Sequence, residues 1–168
     1  RILTGGSAIA RATLEAYERD YGIDIVHGWG MTEMSPVGTM TQMSPEEGAL
    51  PFERQVDIKC QQGRRLYGVE MKVVGADGVR LPNDGVSQGE LFVRGAAVIS
   101  GYYENEAASK AAFDSEGWFG TGDVATISRD GSLTRYFSTW VNEYIDKYVV
   151  DHPRYVFHSL RNNFEDGL

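Results

Sequence analysis

The chain has 168 residues, enough for one ordinary domain or two small subdomains. Its 42% hydrophobic and 24% charged content is that of a folded chain rather than a disordered one, and no apolar run approaches the roughly 20 residues of a membrane-spanning helix. A formal net charge of −8 argues against nucleic acid as a partner, because phosphate backbones are met by a basic stripe, but a single nucleotide needs only backbone amides, a metal ion and a few side chains.

In chain order, Arg1-Ile2-Leu3-Thr4 reads as a start inside a strand, hence as a piece of a longer protein, and no secretory leader is seen. Residues 2–6 form a short strand ending in a Gly-Gly turn. Ser7 is placed to cap a helix over about 8–21, whose apolar positions Ile9, Leu14, Ala16, Tyr17 and Tyr21 keep helical spacing until Gly22 stops it. Residues 23–27 form a second strand, which makes a parallel strand–helix–strand unit. Residues 28–52 are polar, contain Pro36, Pro45 and Pro51, and read as a long functional loop. Beyond Val56 the pattern becomes short strands, at 69–73 and 90–95, punctuated by glycines at turn-like intervals, as in a small antiparallel sheet or distorted barrel. Asn105 caps a short helix through Phe113, and Asp130-Gly131 marks a hairpin. In the tail, Phe137, Trp140, Val141, Tyr144, Ile145, Tyr148 and Val149 recur at helical spacing before Pro153. This predicts a helix over about 139–150 that either covers apolar surface of its own chain or pairs with a second copy as a homodimer. The fold class expected is α/β: the end of a mixed-sheet subdomain at 1–52, a β-rich barrel-like subdomain at 53–135, and a helical tail at 136–168.

Cys60 is the only cysteine, so there is no disulfide framework, and it reads as a small buried hydrophobe in a reducing, cytoplasmic setting. His152 and His158 have no third metal ligand near them in sequence. Chemistry concentrates in four segments. Gly5, Gly6 and Ser7 allow close backbone approach to a ligand between a strand and a helix. Gly28-Trp29-Gly30-Met31-Thr32-Glu33 follows the second parallel strand, where ligands of α/β sheets collect; it carries an aromatic face, a hydroxyl for a phosphate oxygen, and a hard carboxylate suited to Mg²⁺. A glycine-bounded strand pair runs from Gly89-Glu90-Leu91 to Gly101-Tyr102-Tyr103. Gly117-Trp118-Phe119-Gly120-Thr121-Gly122-Asp123 ends in a carboxylate able to accept the two vicinal hydroxyls of a ribose. Each also reads as ordinary structure: a tight turn, a core aromatic, a sheet, a turn residue.

Taken together, in order and spacing, these segments resemble the adenylate-forming superfamily over roughly residues 1–134. That superfamily includes acyl-CoA synthetases, luciferases and the adenylation domains of peptide synthetases. The wording from Gly28 to Pro36 looks most like fatty acyl-CoA ligases. The resemblance implies that ATP or AMP, Mg²⁺ and CoA are used with a carboxylic acid. Gly5, Gly6 and Ser7 would lie along the adenine edge and Trp29 would stack on or flank the base. Thr32 would contact the α-phosphate, Glu33 would hold Mg²⁺, and Asp123 would bind the ribose hydroxyls. Met31 belongs to the same nucleotide-binding run, and Gly28 and Gly30 would leave room beside the acyl chain. Two departures accompany it. The family's lysine-bearing phosphate loop is not in this chain, and after Leu133 the text runs Thr134-Arg135-Tyr136-Phe137 where the family has a hinge and a lysine-bearing domain. Arg135 arrives too early to be the hinge arginine. The chain alone is therefore expected to be inactive. A carrier-loading adenylation domain and a non-catalytic nucleotide- or partner-binding module are the alternatives.

Overall fold

The computed structural model describes residues 1–138; the expected helix over 139–150 lies outside them. The described residues hold two four-stranded sheets, ordered β1-β2-β3-β4 and β5-β6-β7-β8. Up to Phe137 they belong to one compact unit.

The first sheet begins as expected. β1 (Ile2–Thr4) pairs parallel with β2 (Ile25–Gly30), Ile2 opposite Ile25 and Thr4 opposite His27, and α1 (Arg11–Tyr21) crosses between them. The helix starts later than the sequence predicts: Ala10, not Ser7, is its N-cap, and no side chain caps it. At the other end Gly22 takes the left-handed conformation (φ 64°) and its N–H bonds the Tyr17 carbonyl, the geometry that ends a helix on glycine. The helix buries Leu14 against Ile25 and against Val56 of α3 (Phe52–Cys60); burying side chains of this size contributes about 1.5–3 kcal/mol each. Cys60 packs at the margin of this cluster, and burial pushes its thiol pKa up, which suits a small hydrophobe and not a nucleophile.

The expected long loop is mostly structured. β2 runs on through Gly30, and a 3₁₀ turn (Thr32–Met34) leads into β3 (Val37–Met40), which returns antiparallel to β2 with a bulge at Trp29/Gly30. The short helix α2 (Pro45–Gly48) is held by a reciprocal capping box between Ser44 and Glu47. β4 (Arg64–Arg65) closes the sheet, so the change of sheet falls between Arg65 and Val69, whereas the sequence pattern put it at 52/53.

β5 (Val69–Val74), β6 (Gly89–Gly95), β7 (Phe119–Ile127) and β8 (Leu133–Ser138) form the second sheet, which curls like half a barrel. β5–β6 and β6–β7 are antiparallel. Asn105 caps α4 (Glu106–Ala112) by accepting from the Ala108 N–H at 3.0 Å, as expected. Tyr136 and Phe137 lie in β8, so the tail pattern does not begin as a helix. Val69, Val73, Leu91, Val93, Phe119, Ile127 and Leu133 join Trp29 and Met34 of the first half in one continuous core. The start of β8 also bonds to the first sheet: the Leu133 carbonyl accepts from Gln62 N–H at 2.9 Å, and Leu133 N–H donates to Gly63 at 2.8 Å. Among the described residues no helix is long and apolar enough to cross a membrane.

Candidate functional site

A cleft of about 310 Å³ opens at the carboxyl ends of β1 and β2. This is the side on which the parallel pair leaves backbone groups and side chains free for a ligand. Its walls are the Gly5-Gly6 turn, the run from Gly28 to Thr32, and Leu3, Thr4, Pro36 and Val37. The structure thus brings Gly5, Gly6, Gly28, Trp29, Gly30, Met31 and Thr32 to one place.

The glycines are needed for packing as much as for space. A β-carbon on Gly5 would meet the Gly28 carbonyl oxygen at 2.9 Å, and one on Gly28 the Thr39 oxygen at 2.7 Å. One on Gly30 would lie 1.9 Å from the Pro36 oxygen. The size of Gly28 and Gly30 is therefore dictated by the approach of β3, where the sequence reading tied it to an acyl chain. Gly6 alone has an open neighbourhood and needs its freedom for a φ of 88°.

Trp29 borders the cleft but is only 3% exposed. Its six-membered ring fits only because Gly38, packed with Met34, has no side chain beneath it. The indole N–H donates to Asp123 Oδ2 at 2.6 Å, across 94 residues of sequence. The ring is thus largely committed to the core, rather than standing free between its two glycines.

Asp123, also buried, sits behind Trp29 at the bend of β7, its own N–H donating to the Thr121 hydroxyl. Its second oxygen, Oδ1, accepts from Arg135 at 3.3 Å, and the same guanidinium donates to the Gly6 carbonyl at 3.1 Å. Arg135 is the residue that sequence reasoning set aside. A signal was available: in a strand after the Asp130-Gly131 turn, Arg135 shares a face with buried Leu133 and so must find an inward partner.

Thr32 is exposed on the cleft wall at the head of the 3₁₀ turn. Glu33 beside it accepts from the Tyr102 hydroxyl at 3.1 Å, and its carbonyl accepts from the Ile99 N–H at 2.9 Å. The segment after β6 therefore holds the Glu33 carboxylate from the second sheet. Burial, and then the neighbouring Glu33 carboxylate, push the Tyr102 phenol above its ordinary pKa. Among the described residues no three His, Cys, Asp or Glu side chains are placed so that they could hold a metal ion. One carboxylate beside a hydroxyl fits an Mg²⁺ that arrives on phosphate oxygens and keeps several waters, and does not fit an all-protein cage. Ser7 does not line the cleft; its carbonyl lies 3.2 Å from Nε2 of fully buried His27, which steadies the glycine turn from below.

The arrangement offers an apolar and glycine-lined cleft with the Thr32 hydroxyl on its wall, the Glu33 carboxylate next along the chain, and the buried Asp123 carboxylate behind Trp29 and outside the lining. The model of the family described as AMP-binding enzyme matches residues 1–103. A 3-methylmercaptopropionyl-CoA ligase of Ruegeria pomeroyi is 47% identical over 134 residues, which are 80% of this chain and 24% of the relative. A medium-chain-fatty-acid–CoA ligase of Ectopseudomonas oleovorans is 42% identical over the same shares. Among solved structures, a long-chain-fatty-acid-CoA ligase from Archaeoglobus fulgidus superposes with a TM-score of 0.68 at 25% identity, covering 90% of this chain and 30% of that one. The chain spans about a quarter of the length of the curated relatives it matches.

Proposed function

The chain belongs to the AMP-binding enzyme family, and from that premise we propose that it is part of an ATP-dependent acyl-CoA ligase acting on a carboxylic acid, with a fatty acid as the substrate class. In the reaction proposed, a carboxylate oxygen attacks the α-phosphorus of ATP, the bond from that phosphorus to the bridging oxygen breaks, and pyrophosphate leaves. The CoA sulfur, losing its proton, then attacks the acyl carbon and AMP departs. In this reading the Thr32 hydroxyl donates to an α-phosphate oxygen, the Gly5-Gly6 turn lies along the base, and Asp123 accepts the ribose hydroxyls. Glu33 would hold Mg²⁺, whose charge offsets that developing on the phosphate oxygens. A cytoplasmic setting is proposed with it, from the single cysteine, Cys60, which suits a reducing compartment.

The observation that carries this reading is the Trp29–Asp123 hydrogen bond, which joins two motifs 94 residues apart at the edge of the cleft holding Thr32. That these relatives are CoA ligases supports CoA ligation over a carrier-loading domain or a non-catalytic module. The 168-residue chain by itself is read as inactive, because charge stabilisation by the family's lysines is missing from it.

The test is a segment exchange. Residues 1–134 replace the matching stretch of the E. oleovorans ligase, and acid-dependent exchange of pyrophosphate into ATP is measured with short, medium and long fatty acids and with an aromatic acid. Exchange driven by fatty acids, lost in the Thr32→Ala and Asp123→Ala forms, is expected. Exchange that survives both substitutions, or that only the aromatic acid drives, refutes the reading.

A further inference from the structure

Both oxygens of the buried Asp123 carboxylate are taken: Oδ2 by the Trp29 indole at 2.6 Å and Oδ1 by Arg135 at 3.3 Å. The Arg135 side chain is 19% exposed and that of Asp123 8%, so the pair is largely withdrawn from solvent. Its other nitrogen bonds the Gly6 carbonyl, a group of the cleft wall. Arg135 is held in place from behind, since its backbone N–H donates to the Gln62 side chain at 2.6 Å. One side chain therefore bridges the two groups between which an adenosine would lie, the turn along the base edge and the carboxylate for the ribose.

We propose that Arg135 is a self-occluding residue of the nucleotide site, one that must release Asp123 and Gly6 before a nucleoside can enter. The inference rests on the reading of Asp123 as the ribose acceptor and deepens it. Physically, a ribose diol brings two neutral O–H donors, whereas Arg135 brings a charged donor that also neutralises a buried carboxylate. The nucleoside competes with an ion pair for the same oxygen. When only a fraction of the molecules has the site free, the apparent dissociation constant rises by the inverse of that fraction, so an arginine engaged nine-tenths of the time weakens binding about tenfold.

Adenosine is the proper probe, because it has no phosphate for a guanidinium to attract. Its affinity for the 168-residue chain and for the Arg135→Ala form is measured by calorimetry or by NMR titration. The expected result is about tenfold tighter adenosine binding by Arg135→Ala. Unchanged, weaker or undetectable binding by the folded variant overturns the proposal. Arg135→Lys keeps the cation without the two-pronged bridge, and serves if the alanine form does not fold; intermediate tightening supports the proposal and wild-type affinity overturns it. Asp123→Asn, made in the Arg135→Ala background where no guanidinium competes for that oxygen, separates the two readings. If it leaves adenosine binding as it was, the ribose assignment fails and the occlusion with it. If Asp123→Asn weakens binding while Arg135→Ala fails to strengthen it, only the occlusion fails.

Discussion

Replacing Trp29 with phenylalanine tests whether the two halves of the site are joined where the geometry says they are. The change keeps an aromatic ring in the core but deletes the N–H that reaches Asp123 Oδ2 at 2.6 Å. A hydrogen bond to a charged, buried acceptor is worth about 1.5–3 kcal/mol, more than an average neutral one, because the abandoned oxygen has no water to turn to. The smaller ring, resting on Gly38 and Met34, adds a packing loss of about 1 kcal/mol. The sum, about 3 kcal/mol, corresponds to a fall in thermal midpoint of roughly 6–12 °C for a chain of this size. Urea unfolding followed by circular dichroism gives the free energy without relying on the lost fluorophore. A cycle with Asp123→Asn then isolates the pair, because the coupling to Arg135 that the second substitution also weakens cancels between its two arms. We expect an interaction energy of about 1–2 kcal/mol. If the two changes add to within about 0.5 kcal/mol, the indole and the carboxylate do not support one another and the reasoning is wrong.

Gly30→Ala should prevent stable folding or cost more than about 4 kcal/mol, because its β-carbon would lie 1.9 Å from the Pro36 carbonyl oxygen and backbone cannot yield. Gly22→Ala, whose β-carbon meets nothing within 4 Å, should cost only the left-handed conformation, about 1–2 kcal/mol, so equal losses in the two urea midpoints would contradict the contact geometry. The Asp84 carboxyl accepts the N–H groups of Ser87 and Val86 and the Ser87 hydroxyl, and these hold its pKa at about 2, down from 3.8. Below 3.8 the unfolded chain takes up the proton before the folded one does, so this contribution is present above 3.8 and is lost as the pH falls toward about 2. Asp84→Asn should therefore flatten the acid limb of the stability curve between those values, and an NMR titration placing Asp84 near 3.8 would disprove it.

What the sequence makes legible follows from the range of the forces involved. The strand–helix–strand unit, the Gly22 stop, the Asn105 cap and the hairpin at Asp130-Gly131 are set by neighbours within a few residues, and each stands where the local pattern puts it. The cleft-lining run from Gly28 to Thr32 was visible because strand ends and glycines mark the place where a parallel sheet exposes its backbone. The capping box at Ser44 and Glu47 was written in the sequence too, but proline content and polarity masked it, and the stretch read as loop.

Other features had no local cause. Gly28 and Gly30 are small because β3 passes against them, and β3 is placed by long-range pairing with β2 and β4. Trp29 reads as an aromatic free to meet a base, yet Gly38, nine residues on, removes the atoms that would have kept its ring out of the core. Arg135 found its partner 12 residues back and its second contact 129 residues away. Sequence determined the periodicities, the Gly22 stop, the Asn105 cap and the kinds of group available around the cleft, since those depend on residue type and spacing. Only the tertiary structure decided which of those groups are already engaged with one another, because a buried carboxylate takes whichever donors the packing of distant strands brings within reach.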